Sequence, residues 1–329
     1  MSQPSHRPGR LGVGVISAGR VGAVLGAALR GAGHAVVGVH ASSEASRDRA
    51  AALLPDVPVL DVQSIVERSE LVLLAVPDDQ LPGLVSGLAA TGAWQPGQLV
   101  VHTAGRYGTD VLEPVRAAGS IGLAVHPAMT FTGLSLDLQR LADCRFAVTA
   151  AAPVLPIAQA LVVEMGAEPV VVAEADRPLY HAALAHGSNH VMTVLGESMQ
   201  LLGEIGVEHP DRVLGPLVRA TVDNALASGE NALTGPVARG DVTTVAAHVA
   251  ALRELEGGGA GAAHDAAGPV GSADHDAAGP TGNTDHDAAL QLLAGYRALA
   301  RQTARRAAVS GRLDETSYRA VMAAIEEEQ

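Results

Sequence analysis

The chain of 329 residues contains no lysine: all 22 of its basic residues are arginine. Any mechanism that needs a lysine acid, base or Schiff base is thereby excluded, and much of the titration near neutral pH falls to histidine. Cysteine is nearly absent as well. Cys144 stands alone, so no internal disulfide can form, which suits a reducing cytosol. Aromatic residues make up 2% of the chain, so its core must be built from Ala, Val and Leu. Positive charge is in deficit: a net charge of −13 argues against nucleic acid and against anionic membrane surfaces as partners. No apolar run is long enough to span a bilayer. The opening MSQPSHRPGR lacks the continuous apolar stretch of a signal peptide and is expected to form a disordered arm over residues 1–10.

What is present is a glycine-punctuated run, LGVGVISAGRVGAVLGAAL, over residues 11–29. An apolar strand, Val13 to Ile16, meets a tight turn of Ser17, Ala18, Gly19, Arg20, Val21 and Gly22, and an alanine-rich helix follows. This is the layout of a dinucleotide-binding βαβ unit, with its second strand at His34 to Val39. Gly19 lets backbone approach a pyrophosphate, Gly22 lets helix pack on strand, and the free N–H groups at the helix start face the anion. Ser17 stands where the first glycine of G-x-G-x-x-G is usual.

The alternation continues. Leu71 to Val76 is a wholly apolar run ending at Pro77-Asp78-Asp79, the pattern of a buried parallel strand and its turn. Gln98 to His102 and Ile121 to His126 repeat that form, each closing on a histidine. Phe146 to Thr149 and Pro169 to Ala173 are further strands around a helix near residues 156–165. The expected fold is therefore α/β: a doubly wound, mostly parallel Rossmann sheet over residues 11–173. An all-α domain follows over 174–329, with helical spacing at 176–207, 211–228, 241–256, 287–309 and 314–327. Ligands of such sheets sit beyond the carboxyl ends of the strands, so the turns at Val76-Pro77-Asp78, His102 and His126 are expected to converge on one cleft. Within the helical half, HDAAGPVGSAD recurs as HDAAGPTGNTD and begins again at His286. This repeat has almost no large apolar side chains and is expected to be a disordered loop over 257–287. Its regularly spaced His-Asp pairs offer weak metal binding at most, and a neutral repeat expansion is the favoured reading, so no metal is assigned.

SAGRVG (17–22), LLAVPDD (73–79), HTAG (102–105), HPAMTF (126–131) and YHAALAHGSN (180–189) occur in that order. In these segments the chain resembles the bacterial Rossmann-like oxidoreductases whose C-terminal half is a domain of unknown function, within the 6-phosphogluconate-dehydrogenase-like superfamily. That resemblance implies a nicotinamide cofactor and a helical domain that serves as a dimer surface. It also brings a relation to alternative ketopantoate reductases, and hence a small oxo acid as substrate. The family pattern more usually has Gly at Ser17 and Ser at Ala104.

The second strand ends without the Asp or Glu that would hold a free ribose diol. Ser42, Ser43 and Arg47 follow instead, and hydroxyls with a guanidinium suit a 2′-phosphate, so NADP is expected before NAD. Carbonyl reduction needs a proton donor, a role that lysine fills in many members of the superfamily. His126, at a strand end and fixed by Pro127, is the first candidate here; its HP motif resembles that of prephenate dehydrogenases. The superfamily places catalytic residues on the first helix of the helical domain. There His181 is the second candidate, with Ser188 on nearly the same helical face and Asn189 beside it. His102 and Thr103 are expected within reach of substrate or ribose. Arg177 and Arg20 are the cations available for an anionic substrate. Two alternatives stay open: a prephenate-dehydrogenase-like or imine-reducing enzyme, and a non-catalytic protein that senses NADP(H).

Overall fold

The computed structural model describes residues 10–258 and 284–327, with side chains for all of these but 257–258 and 284–291. Residues 1–9 of the expected arm and 259–283 of the expected repeat loop lie outside the described residues. Arg10, placed in the arm by the sequence, is instead anchored: its guanidinium is 3.1 Å from the Glu164 carboxylate. The chain divides into two units, residues 1–191 and 192–329.

The first unit alternates strand and helix in this order: β1 (Gly12–Ile16), α1 (Arg20–Gly31), β2 (Ala35–His40), α2 (Glu44–Leu53), α3 (Val62–Arg68), β3 (Leu71–Leu74), α4 (Leu81–Ala90), β4 (Leu99–His102), α5 (Glu113–Ala117), β5 (Ile121–Pro127), α6 (Leu136–Arg140), β6 (Arg145–Thr149), α7 (Leu155–Glu164) and β7 (Glu168–Val171). The seven strands form one sheet in the order β2-β1-β3-β4-β5-β6-β7. All neighbours are parallel except β5 and β6. Because side chains alternate across a strand, Leu71 and Leu73 join one core with α1 and α7, whereas Val72 and Leu74 join the other with α3, α4 and α5. Both faces are thus covered, which is why these strands read as continuous apolar runs.

Strand order reverses about β1, whose neighbours are β2 and β3. The crevice beside such a switch point, at the carboxyl edge, is where this class of sheet binds ligands. Register brings the relevant ends level: Ile16 pairs with Leu74, Leu74 with His102, and His102 with Ala124. The loops that begin at Ser17, Ala75, Thr103 and, a little further on, Ala128 therefore leave the sheet along one edge.

Helix α8 (Arg177–Glu204) begins in the first unit. The remaining helices are α9 (Pro210–Ser228), α10 (Pro236–Arg239), α11 (Val242–Gly258), α12 (Thr284–Val309) and α13 (Glu315–Glu326), close to the spans read from helical spacing. The second unit packs a small-residue core in which Val245, Ala300, Ala304, Ala307, Val321 and Ile325 are buried, as the shortage of aromatics requires. No helix among the described residues is long and apolar enough to cross a membrane.

Candidate functional site

The expected phosphate loop is built for close approach. A Cβ on Gly22 would lie 2.1 Å from the Ser17 carbonyl oxygen and 2.9 Å from Ala75, so only glycine lets α1 start against β1. Gly19 has the opposite surroundings: a Cβ there would meet only the Ser17 hydroxyl, at 3.6 Å. It is the N-cap of α1, no side chain caps that end, and the first turn carries no carboxylate. The resulting set of free N–H groups and open space fits a pyrophosphate. Ser17 holds φ at +79°, in the left-handed region that favours glycine. The turn thus keeps the glycine conformation without the glycine. Ala18 faces inward; it is buried and donates its N–H to the His40 carbonyl, which ties the end of β1 to that of β2. Of the loop residues expected at the cofactor, Arg20 is exposed, Val21 is half-buried, and Ala18 is turned into the core.

At the end of β2 the expected 2′-phosphate trio is partly committed elsewhere. The Ser43 hydroxyl accepts the Ser46 N–H in a capping box that starts α2, and Arg47 donates to the Ser42 carbonyl at 3.3 Å. Two other arginines meet nearby. A Cβ on Gly133 would lie 2.9 Å from the Arg49 Nε and 3.2 Å from the Arg20 Cγ. The loop there is held by Asp137, whose buried carboxylate accepts the Thr132 and Gly133 N–H groups at 2.7 and 2.8 Å. At the end of β3, Val76 is half-buried and Pro77 exposed, and Asp78 lies 3.9 Å from Arg106.

Beyond β5 a second group assembles. His126, Met129, Thr130, His181, Ser188 and Asn189 line a cavity of about 310 Å³. Four of the six expected catalytic residues are thereby brought together. The His126 and His181 rings sit edge to face with centroids 5.9 Å apart. Between them lies Gly105: a Cβ there would be 2.6 Å from the His181 Cδ2 and 3.0 Å from the His126 Nε2. Behind His126, the Tyr180 hydroxyl is 3.0 Å from its Nδ1. Burial, reinforced by the Arg177 charge, pushes the His126 pKa down to about 4, so the ring is neutral at physiological pH.

His102 and Thr103 do not join this cavity. His102 is fully buried; its Nδ1 accepts the Ala104 N–H at 3.2 Å and its Nε2 donates to the Gly108 carbonyl at 2.7 Å. Both nitrogens are spent on shaping the turn after β4, and burial pushes its pKa to about 4. Thr103 lines a different, apolar pocket together with Leu161 and Met165. Arg177, expected as a substrate cation, is likewise interior. It is fully buried, with Nε donating to the Thr149 hydroxyl at 2.7 Å and Nη2 to the Ala124 and Ala147 carbonyls at 2.9 and 3.1 Å. It bridges β5 and β6 and fixes the start of α8. Glu174 makes a second brace, accepting the Thr109 N–H at 2.6 Å from the loop that also carries Gly105. Tyr180 and Gly105 were missed as site residues, although both lie inside motifs that the sequence presents, YHAAL and HTAG.

The sheet and its flanking helices define a Rossmann-like fold. Residues 1–127 match the model of the Rossmann-like domain, and residues 144–263 match that of a domain of unknown function, DUF2520. The chain joins these two in sequence, as in the family resemblance above. No curated protein matches the sequence. Among solved structures, the chain is similar to a Bacteroides fragilis protein assigned as an NADP oxidoreductase. The two share 21% identity over 74% of this chain and 92% of the other, with a TM-score of 0.63. A Thermotoga maritima protein shares 19% identity over 74% and 91%, with a TM-score of 0.54. The imine reductase of Myxococcus stipitatus in complex with NADP+ shares 18% over 75% and 86%, with a TM-score of 0.52. At these identities the likeness establishes the fold. Two of these three neighbours, those of Bacteroides fragilis and Myxococcus stipitatus, are described as an NADP oxidoreductase and as an imine reductase with NADP+ bound.

Proposed function

We propose that this protein is an NADP-dependent oxidoreductase that reduces a small oxo acid, ketopantoate being the most concrete candidate. The observation that carries the reading is the meeting of His126, His181, Ser188 and Asn189 around one cavity, in a chain whose sheet edge also carries an open, uncapped phosphate loop. The residues that would hold the cofactor are the first-turn N–H groups of α1, with Gly19 and Gly22 leaving room. Ser42, Arg47 and the Arg20–Arg49 pair would hold the 2′-phosphate. A bound reduced nicotinamide supplies hydride, and with it both electrons. The chain's own part is to orient and to protonate. His126 and His181 present ring edges to a substrate oxygen, while the Ser188 hydroxyl and Asn189 amide are placed to orient its polar groups. Because His126 is neutral, it acts as a neutral N–H donor, and not as an imidazolium acid. Soluble, cytoplasmic action as a homodimer through the helical domain completes the reading.

One feature of the cavity favours a second substrate class. None of its described lining residues is arginine, and Arg177 is buried beside the sheet with its Nε and Nη2 bonded to β5 and β6. An oxo-acid carboxylate would have to rely on Asn189, Ser188, Thr130 and the His181 ring. A cyclic imine, neutral or protonated, makes no such demand. NADPH oxidation measured with ketopantoate, other small oxo acids and a cyclic imine separates the two. Turnover of ketopantoate above the rest supports the first reading, and turnover of the imine alone replaces it with the second.

A further inference from the structure

A neutral imidazole is a poor final source of a proton, since losing one from Nε2 alone would leave an imidazolate. His126 has a partner that removes this difficulty. Its Nδ1 is 3.0 Å from the Tyr180 hydroxyl, the rings meet edge to face at 5.6 Å, and its Nε2 lies on the Gly105 side, toward His181 and the cavity. An imidazole nitrogen is a far better acceptor than a phenol oxygen, so the phenol donates and Nδ1 accepts. That direction leaves the ring proton on Nε2, where substrate would meet it.

We infer that Tyr180 is the positioning residue that fixes His126 in its Nε2–H tautomer and refills it through Nδ1 as Nε2 gives its proton to the substrate. This rests on the oxidoreductase reading above. In the step, the product O–H (or N–H) bond forms as the Nε2–H bond breaks, and the Nδ1–H bond forms as the Tyr180 O–H bond breaks. The imidazole stays neutral throughout, and the proton lost is Tyr180's. Water in the cavity then returns a proton to Nε2, and Nδ1 hands its own back to the phenolate. The surroundings suit a phenol held ready. Arg177 lies below the Tyr180 ring, its guanidinium carbon 5.9 Å from the centroid, where its charge stabilises a transient phenolate. Burial raises the Tyr180 pKa and Arg177 opposes that rise, with Cys144 the other titratable group acting on it. His181, next in sequence, and the buried His102 are the other titratable groups that act on His126. The arrangement gives a chain without lysine an acid that is protonated at neutral pH.

The test begins with the intact protein. Nitrogen-15 NMR of the imidazoles, with His126→Gln used to assign the signal, is expected to show His126 as the Nε2–H tautomer near neutral pH. In Tyr180→Phe the same ring is expected to become a mixture of tautomers. With a turned-over substrate, Tyr180→Phe is expected to lower kcat at least tenfold while KM and NADPH affinity stay within about twofold. An Nδ1–H tautomer in a protein that binds NADPH, or an unchanged kcat in Tyr180→Phe, overturns the relay alone. Failure of the wild-type protein to bind NADPH overturns the oxidoreductase reading and the relay with it.

Discussion

The stability of the N-terminal unit should fall as pH drops from about 7.5 to about 5, and His102 should be a principal cause. His102 is fully buried and its pKa lies near 4, against 6.5 for the free side chain. Between those values the unfolded chain takes up a proton that the folded chain refuses. Stability is therefore complete above about 6.5, declines as pH falls toward 4, and levels off below. A difference of 2.5 pKa units corresponds to about 3 kcal/mol over the whole interval, of which about 2 kcal/mol is lost by pH 5. For a unit of this size that is a drop in Tm of roughly 4–8 °C. His126, shifted the same way by burial, adds to the slope with the same sign. The assay is urea denaturation followed through Trp94, the chain's single tryptophan, which is buried in this unit. His102→Gln should be less stable at pH 7.5, because the Ala104 N–H and Gly108 carbonyl lose their partner, but should show a shallower pH dependence. A wild-type slope near zero, or one that His102→Gln leaves unchanged, would refute the reasoning.

Two further substitutions probe the scaffold of the site. Arg177→Met strips donors from the Ala124 and Ala147 carbonyls and the Thr149 hydroxyl, and should cost about 3 kcal/mol in the same urea assay. Arg177→Lys should fail to restore it, since an ammonium cannot reproduce the fork. Gly105→Ala forces a methyl group to within 2.6 Å of His181, and the flexible rings will give way before the backbone does. Its Tm should hardly move, whereas kcat should fall about a hundredfold, as for a displacement of about 1 Å at reacting groups; equal losses of both would place Gly105 in folding instead.

Most of the fold was legible because its signals are local. Apolar runs such as Leu71–Leu74 and Leu99–Val101, short and bounded by turn residues, read as strands buried on both faces, and Gly19 and Gly22 mark the turn between β1 and α1. The antiparallel pairing of β5 with β6 was not legible, since strand direction is fixed by a long-range partner. The site divides in the same way. The i, i+7 and i+8 spacing of His181, Ser188 and Asn189 on one helix could be read directly, and they share the cavity with His126. His102 and Thr103 sat at an expected strand end, yet a strand end sends neighbouring side chains to opposite sides, and neither meets the cavity. The serines after β2 were read as phosphate ligands, although Ser43 and Ser46 carry the spacing of a helix cap. Tyr180 could not be singled out, because its role comes from a contact with a strand 54 residues earlier in the sequence.

The measurement that bears most directly on the account is NADPH oxidation by the wild-type protein and by His126→Gln, across ketopantoate, other oxo acids and a cyclic imine. The account predicts oxidation with at least one of these, reduced about a hundredfold or more when His126 is replaced, while NADPH binding is retained. Tight NADPH binding without oxidation by any member of the panel would contradict it and make the protein a nucleotide sensor; undiminished turnover in His126→Gln would move the chemistry away from this histidine.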